Sequence, residues 1–245
     1  MSAGKYLVRF ARTEADLDRI LRLRYQVYNL ELAAGLESAG ISQRDEDRFD
    51  RQFHHLLIEE RESGEVVGTY RMQTCEMANA GGYSSGGLFE VESLPDITRK
   101  RAIELGRVAI ARQHRNGRVL HLLWRGLANY LAWNRKSVLF GCCSLTSQDQ
   151  DLALAVHRHL ARLGAQHATI AVAPRPEAAC QASDPALESA PAAPPKIPAL
   201  FQAYLTMGAR ILGAPAIDRE FRSLDWLVLL DVEELDRFTY STFFK

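Results

Sequence analysis

The chain has 245 residues, 47% hydrophobic and 24% charged, which is ordinary for a soluble globular protein with a sizeable core. Its 30 Lys and Arg balance 30 Asp and Glu, so no bulk charge favours nucleic acid or an anionic membrane. We see no signal-peptide pattern and no apolar run of the roughly 18 residues that span a membrane. The four cysteines lack metal-ligand spacing. We therefore expect a cytoplasmic protein without a metal site or a nucleic-acid partner.

The first third of the chain predicts a strand, a helix and a β-hairpin. Thr13 is a suitable N-cap for the helix, and Arg61-Glu-Ser-Gly64 is a suitable turn for the hairpin. The predicted ranges are strand 5–11, helix 13–32, strand 53–60 and strand 66–75.

The rest of the chain alternates strands and helices around a segment rich in Pro, Ala and Ser. The predicted ranges are strand 101–110, helix 118–133, strand 137–145, helix 150–163, strand 167–172, helix 197–212 and strand 226–231. We expect residues 174–196 to be a flexible loop inside a single domain of residues 1–245. The order predicts an α/β (α+β layered) fold, with a mixed, mostly antiparallel twisted sheet flanked by helices.

Charged residues interrupt segments that should be buried. Glu104 and Arg107 lie in the middle of an apolar strand, Arg71 lies in another strand, and Arg24 lies on the apolar stripe of the first helix. Burying charge is costly unless the charge is paired or used. Structural ion pairs are one explanation, including a bridge from Glu104 to Arg107 or Arg71. A polar pocket built from several elements is the other.

An acidic run between the first helix and the hairpin supplies possible partners. Asp47 and Asp50, spaced i and i+3, fit one turn and are suited to hold a substrate ammonium. Asp45 and Glu46 are interpreted as solvated charge.

Two histidines open the next strand. His55 is suited to act as a base or relay near neutral pH, or else to bond to backbone as a half-buried residue. Its neighbour His54 is expected to point the other way and to be exposed.

Six short motifs lie in order along the chain. They are Arg24-Tyr-Gln-Val-Tyr28, Asp47-Arg-Phe-Asp50, His55-Leu-Leu-Ile58, Val67-Gly-Thr-Tyr-Arg71, Glu104-Leu-Gly-Arg107 and Leu123-Trp-Arg-Gly-Leu-Ala128. Together with residues 198–208 and 225–231, they resemble the hemolysin-like branch of the GNAT acyltransferases. That branch includes the ornithine-lipid and N-acyl amino acid synthases and is related to the acyl-homoserine lactone synthases.

The resemblance implies attack by an amine on an acyl thioester, which needs a base and donors for an oxyanion. Glu104 is the first choice as base, with His55 and Arg107 as further catalytic residues. The expected substrate-binding residues are Arg24, Asp47, Asp50 and Arg71. A bulge at Gly106 would turn Arg107 to the face of Glu104 and free backbone N–H groups for the oxyanion.

The loop at 112–120 bears on the acyl donor, because Gly117 is its only glycine. Relatives that use coenzyme A usually place several glycines there to cradle the pyrophosphate. The loop therefore favours acyl carrier protein, whose phosphopantetheine has a single phosphate, and no permanently bound cofactor is expected. Residues expected to bind the carrier and its arm are Val108, Ile110, Arg112, Arg115 and Arg118.

We expect an N-acyltransferase that moves a long-chain, 3-hydroxy fatty acyl group from acyl carrier protein to an amino acid's α-amine. Ornithine is the leading acceptor by resemblance, giving a lyso-aminolipid or N-acyl amino acid. The alternatives are an acyl-homoserine lactone synthase-like enzyme, a coenzyme A-dependent acetyltransferase, and a catalytically silent acyl- or carrier-binding protein. Helix 197–212 is expected to pack on the sheet; the alternative is that it lines an acyl tunnel or contacts the inner face of the membrane.

Overall fold

The computed structural model describes residues 2–183 and 196–244. Its strands are β1 Ser2–Ala3, β2 Tyr6–Phe10, β3 His54–Glu60, β4 Val66–Thr74, β5 Ala102–Ile110, β6 Val138–Leu145, β7 Arg210–Ile211, β8 Ala216–Asp218 and β9 Ser223–Asp231. Its α-helices are α1 Glu14–Tyr25, α2 Ala39–Ser42, α3 Cys75–Gly81, α4 Asp96–Arg101, α5 Arg118–Asn134, α6 Gln150–Arg162, α7 Ala199–Thr206 and α8 Arg237–Phe244. These elements belong to two compact units. The first unit is Met1–Gly82, Ala102–Ser137 and Asp236–Lys245, and the second is Tyr83–Arg101 and Val138–Leu235.

The first unit is an antiparallel sheet in the order β1-β2-β3-β4-β5, with α5 on one face. The helix lies very close to the sheet. A Cβ atom on Gly126 would lie 2.4 Å from Cδ2 of Leu56, and one on Gly68 would lie 2.6 Å from Cγ1 of Val119. These two glycines let the helix backbone and the strand approach each other.

The opposite face of this sheet carries the charged residues. Side chains alternate along a strand, so His55 and Arg71, which are paired across β3 and β4, point away from α5. Glu104 pairs with Gln73, two residues after Arg71, and so shares that face. Helix α1 packs against β4 and β5.

A β-bulge interrupts the pairing of β4 with β5. Thr69 pairs with Ala109 and Arg71 with Gly106, so Tyr70 stands opposite two residues, Arg107 and Val108. Arg107 has a φ of 50°, in the left-handed region. The expected bulge is therefore present, but Gly106 keeps its regular partner and the bulge falls one residue later.

The second unit is also antiparallel, with β6, β7 and β8 each paired to β9. Its core includes Val156 and Leu160 of α6, Phe201 of α7 and the fully buried Trp226 of β9. The predicted fold class, a mixed α/β fold with mostly antiparallel sheet and flanking helices, is confirmed. No described helix is both long and apolar enough to cross a membrane.

Two predicted elements are wrong. Residues 167–172 form no strand, because Nδ1 of His167 accepts the backbone N–H groups of Thr169 and Ile170 and bends the chain. The helix predicted to reach residue 212 ends at Thr206. Gly208, with a φ of 106°, turns the chain so that Arg210–Ile211 can pair with β9 instead.

The predicted flexible loop is only partly described. Within residues 174–183, Pro174 bridges to Phe89 and Ala179 bridges to Ala216. Residues 184–195 lie outside the described residues. Flexibility of this loop and the single-domain organisation both stay predictions.

Candidate active site

Six side chains of the first unit form what we call the ion network. They are Arg24, Asp45, Asp47, Asp50, Arg71 and Arg107. Arg24 lies at its centre, with Nη2 2.6 Å from Oδ1 of Asp45 and Nη1 2.6 Å from Oδ1 of Asp50. All three of these side chains are 0% exposed. Such burial requires charges of opposite sign in direct contact.

The other two arginines complete the network. Nη1 of Arg71 lies 2.7 Å from Oδ1 of Asp47 and 3.0 Å from Oδ1 of Asp50. Nη2 of Arg107 lies 3.1 Å from Oδ2 of Asp47. Arg107 and Asp47 each remain 16% exposed, whereas Arg71 is 2% exposed. Arg107 and Asp47 are therefore the most exposed part of the network.

Two carboxylates of the network, those of Asp47 and Asp50, stay ionised. Burial opposes ionisation of Asp47, but the charge and hydrogen bond of Arg71 outweigh it and lower the pKa of Asp47. Burial likewise opposes ionisation of Asp50, and Arg24 and Arg71 lower the pKa of Asp50. Asp47 and Asp50 are thus both negatively charged at neutral pH.

The interpretation of Asp45 as solvated charge is wrong. Its side chain is fully buried against Arg24, which comes from α1. Glu46, given the same interpretation, is exposed. The difference arises because adjacent side chains in this loop point in different directions.

Two side-chain amides, those of Gln52 and Gln73, connect Glu104 to the backbone carbonyl of Gly82. We call these three groups the amide relay. Glu104 is 1% exposed, and Nε2 of Gln73 donates to its Oε2 at 2.6 Å. Nε2 of Gln52 donates in turn to Oε1 of Gln73. Both amides also donate to the Gly82 carbonyl, at 3.0 and 3.1 Å.

His55 bonds to backbone, as one of its two interpretations expected. Its Nε2 donates to the Asp50 carbonyl at 2.8 Å, because a carbonyl can only accept. The ring is 5% exposed, and its Nδ1 has no hydrogen-bond partner within the described ranges. Burial lowers the pKa of His55, so the ring is neutral and Nδ1 carries a lone pair. His54 is exposed, as expected, and contacts the Tyr130 hydroxyl at 2.8 Å.

The bulge is tied to the helix above it. After α1 the chain continues as a π-helix, Gln26–Glu31, a distortion that is frequent at functional sites. This segment positions the buried Tyr28, whose hydroxyl donates to the carbonyl of Val108 at 2.6 Å. The bulge consists of Arg107 and Val108. The hydrogen bond from Tyr28 holds Val108, and the side chain of Arg107 belongs to the ion network.

The residues expected to contact the acyl carrier lie along the end of β5 and in the loop that follows. Val108 and Ile110 are half-buried, whereas Arg112, Arg115 and Arg118 are exposed. Arg115 pairs with Glu31, and its Nε donates to the Ile110 carbonyl at 2.9 Å. Gly117, with a φ of 83°, precedes the first turn of α5.

Sequence reasoning missed Asp45, Gln52 and Gln73. A signal for Gln73 existed: it is a polar residue in a strand that is buried along its whole length, two positions after Arg71. Among residues 2–183 and 196–244, no cluster of three His, Cys, Asp or Glu could hold a metal ion.

The chain is similar in sequence to one known protein family and to characterised acyltransferases. Residues 23–125 match the family described as acetyltransferase (GNAT) domain. The chain is 30% identical over 240 residues to the L-ornithine N(alpha)-acyltransferase of Rhizobium meliloti (strain 1021), covering 93% of this chain and 80% of the relative.

Two solved structures share the fold. One is FeeM, an N-acyl amino acid synthase from uncultured soil microbes, at 10% identity and a TM-score of 0.57, covering 94% of this chain and 92% of FeeM. The other is BjaI, a coenzyme A-dependent acyl-homoserine lactone synthase with SAM and isopentyl-CoA. It is 13% identical with a TM-score of 0.52, covering 97% of this chain and 87% of BjaI.

Proposed function

Because the chain belongs to the GNAT acyltransferase family that contains the L-ornithine N(alpha)-acyltransferases, we propose that it transfers a long, 3-hydroxylated fatty acyl group from acyl carrier protein to the α-amine of ornithine. The product is a lyso-aminolipid, made in the cytoplasm and released to the inner face of the membrane. The observation that carries the proposal is the 30% identity to the Rhizobium meliloti enzyme along 93% of this chain.

Glu104 is the proposed base. The amine nitrogen of ornithine attacks the thioester carbonyl carbon and its proton passes to the Glu104 carboxylate. The C–S bond then breaks, and the phosphopantetheine thiolate takes that proton and leaves as the thiol. Two features support this role: the carboxylate is almost completely buried, and it accepts a hydrogen bond from the neutral amide of Gln73. His55 is the proposed second acceptor for the proton, because its Nδ1 has no hydrogen-bond partner among the described residues.

Asp47 and Arg107 are the proposed contacts for the amino acid itself. They are the most exposed members of the ion network, and their charges match an ammonium and a carboxylate. Arg24, Asp50 and Arg71 act on the substrate through them, because these three side chains are almost fully buried in their own ion pairs.

The acyl carrier protein is the proposed donor. Arg112, Arg115 and Arg118 are exposed around the start of α5, a setting that suits one phosphate and an acidic carrier surface. The backbone of β5 at Val108 and Ile110 is the proposed track for the phosphopantetheine arm. The single glycine of this loop supports a carrier over coenzyme A.

A donor and acceptor matrix tests the proposal. Purified protein is incubated with a 3-hydroxyacyl carrier protein or the matching acyl coenzyme A, each with ornithine, lysine, glutamine, glycine or S-adenosylmethionine. Products are identified by mass spectrometry. We expect Nα-acylornithine as the main product, formed faster from the carrier, and formed far more slowly by the Glu104→Gln variant.

Three results would contradict parts of the proposal. Acyl-homoserine lactone from S-adenosylmethionine would identify a lactone synthase. Equal rates with coenzyme A would remove the carrier preference. Binding of the acyl carrier without any acylated amino acid would indicate a binding protein and would overturn the enzymatic role of this site.

A further inference from the structure

The amide relay ends at the proposed base and has no role in the mechanism given so far. Gln73 is 0% exposed and stands directly opposite Glu104 in the pairing of β4 with β5. A buried polar side chain in this position must satisfy its own donors and acceptor, or it destabilises the protein. Gln73 does so by contacting Glu104, Gln52 and Gly82 at once.

The hydrogen bonds fix which end of the Gln73 amide faces Glu104. The Gly82 carbonyl can only accept, so it takes N–H groups from Gln52 and Gln73. The second N–H of Gln52 then meets Oε1 of Gln73, which turns the NH2 group of Gln73 toward Glu104. An ionised carboxylate is a pure acceptor, so the end of the Gln73 amide that faces Glu104 is the end that such a carboxylate requires.

The position of Gln52 depends on a glycine in α3. A Cβ atom on Gly81 would lie 1.8 Å from Oε1 of Gln52, a distance that no structure tolerates. Any side chain at position 81 must therefore push Gln52 away. The relay can thus be disturbed from α3 without altering the sheet.

We propose that Gln73, oriented by Gln52, is a positioning residue that holds Glu104 deprotonated and aimed at the attacking amine. This inference rests on the proposed function, in which Glu104 is the base. Without the relay, the Glu104 carboxylate lacks this donor and rotates more freely, so we expect the acid limb of the reaction's pH profile to move to higher pH.

The pH dependence of kcat/KM tests this role, since a purely structural residue would lower activity without moving the profile. The ionisable groups near Glu104 on this sheet face include His55 of β3, the six members of the ion network, and Tyr28 from the π-helix after α1. They are unchanged in variants of the relay, so a difference between profiles reports on Glu104.

The variants are Gln73→Met, which keeps the length but removes the donor, and Gly81→Ala, which displaces Gln52. Gly40→Ala is the matched control, because a Cβ there meets nothing within 4 Å. We expect both relay variants to move the acid limb upward by about one pH unit, the effect of losing one hydrogen bond to a charged group. Gly40→Ala should keep the wild-type profile.

An independent readout separates this inference from the proposed function. The carboxyl carbons are labelled with carbon-13 and titrated by NMR, and Glu104 is assigned by the signal that Glu104→Gln removes. A higher titration midpoint in Gln73→Met or Gly81→Ala supports the inference even if no amino acid is acylated. Midpoints and profiles identical to wild type in both variants would overturn it while leaving the acyltransferase activity intact.

Discussion

The ion network and the amide relay lie on the same face of one sheet, and each places different groups against its carboxylates. In the network each carboxylate meets at least one guanidinium, and three positive and three negative groups balance. In the relay, neutral amides lead to the carboxylate of Glu104. Paired charges fix geometry, whereas a carboxylate bound by an amide can still accept a proton. This difference supports the proposal that Glu104 is the base and that Arg24 and its buried partners hold the site together.

The largest expected effect comes from removing the base. Glu104→Gln keeps the shape of the side chain and its contact with Gln73 but cannot accept the amine proton. We expect kcat/KM for ornithine to fall by about 10²- to 10⁴-fold, the usual contribution of general base catalysis. Thermal stability should change little. Near wild-type turnover of this variant at neutral pH would show that Glu104 is not the base and that the two clusters do not differ in role.

Breaking the network should affect folding more than chemistry. Arg24→Met leaves Asp45 and Asp50 buried without their main partner, and we expect a loss of about 3–5 kcal/mol in the free energy of unfolding, measured with urea. The control is Arg22→Met, two residues earlier in the same helix. Arg22 is 49% exposed and, among the described residues, forms an ion pair with Asp18 alone, so about 0.5 kcal/mol is expected. Similar losses in both variants would contradict the scaffold role.

Acid should dismantle the network by protonating its carboxylates. Asp47 and Asp50 have a lowered pKa in the folded protein, so the unfolded chain binds more protons as the pH falls. Their stabilisation is complete above about pH 4, the ordinary pKa of Asp, and is lost as the pH falls below it. We expect the midpoint temperatures of wild type and Asp50→Asn to differ at pH 7 and to converge toward pH 3. A difference between the two midpoint temperatures that stays the same at every pH would show that Asp50 is not ionised in the folded protein.

The smallest effect concerns the bulge. Tyr28→Phe removes the hydroxyl that donates to the Val108 carbonyl, at an expected cost of about 0.5–1.5 kcal/mol in stability. Tyr25→Phe serves as control, since its hydroxyl makes no hydrogen bond within the described part of the chain. If the bulge positions Arg107, Tyr28→Phe should also raise the KM for ornithine several-fold. An unchanged KM would show that the bulge does not position Arg107 for substrate binding.

Local patterns predicted most of the first unit. The alternation in β3 and β4, the turn between them and the charged strand β5 are all visible in the sequence. Gly106 pointed to a bulge because a strand with Glu104 and Arg107 three positions apart needs one to place both on one face. The bulge falls on Arg107 itself, since its own ion pairs stabilise a backbone conformation that glycine usually supplies.

The missed residues depend on contacts between distant parts of the chain. Asp45 differs from Glu46 only in meeting Arg24, which is 21 positions away. Gln73 gains its role from Gln52 and Glu104, which the sheet brings beside it. The false strand at 167–172 has strong β-branched character, but one imidazole nitrogen of His167 captures two of its N–H groups. Tertiary partners outweighed local preference in each case.

The short stretch from Asp45 to Gln52 connects to α1 through Arg24, to β3 through His55, to β4 through Gln73 and to β5 through Arg107. Because these eight residues contact four different elements, the stretch cannot change in length without breaking some of these contacts. An insertion or deletion there would shift every later contact out of register at once. Homologues should therefore vary freely in composition across this stretch at its exposed positions while keeping its number of residues constant.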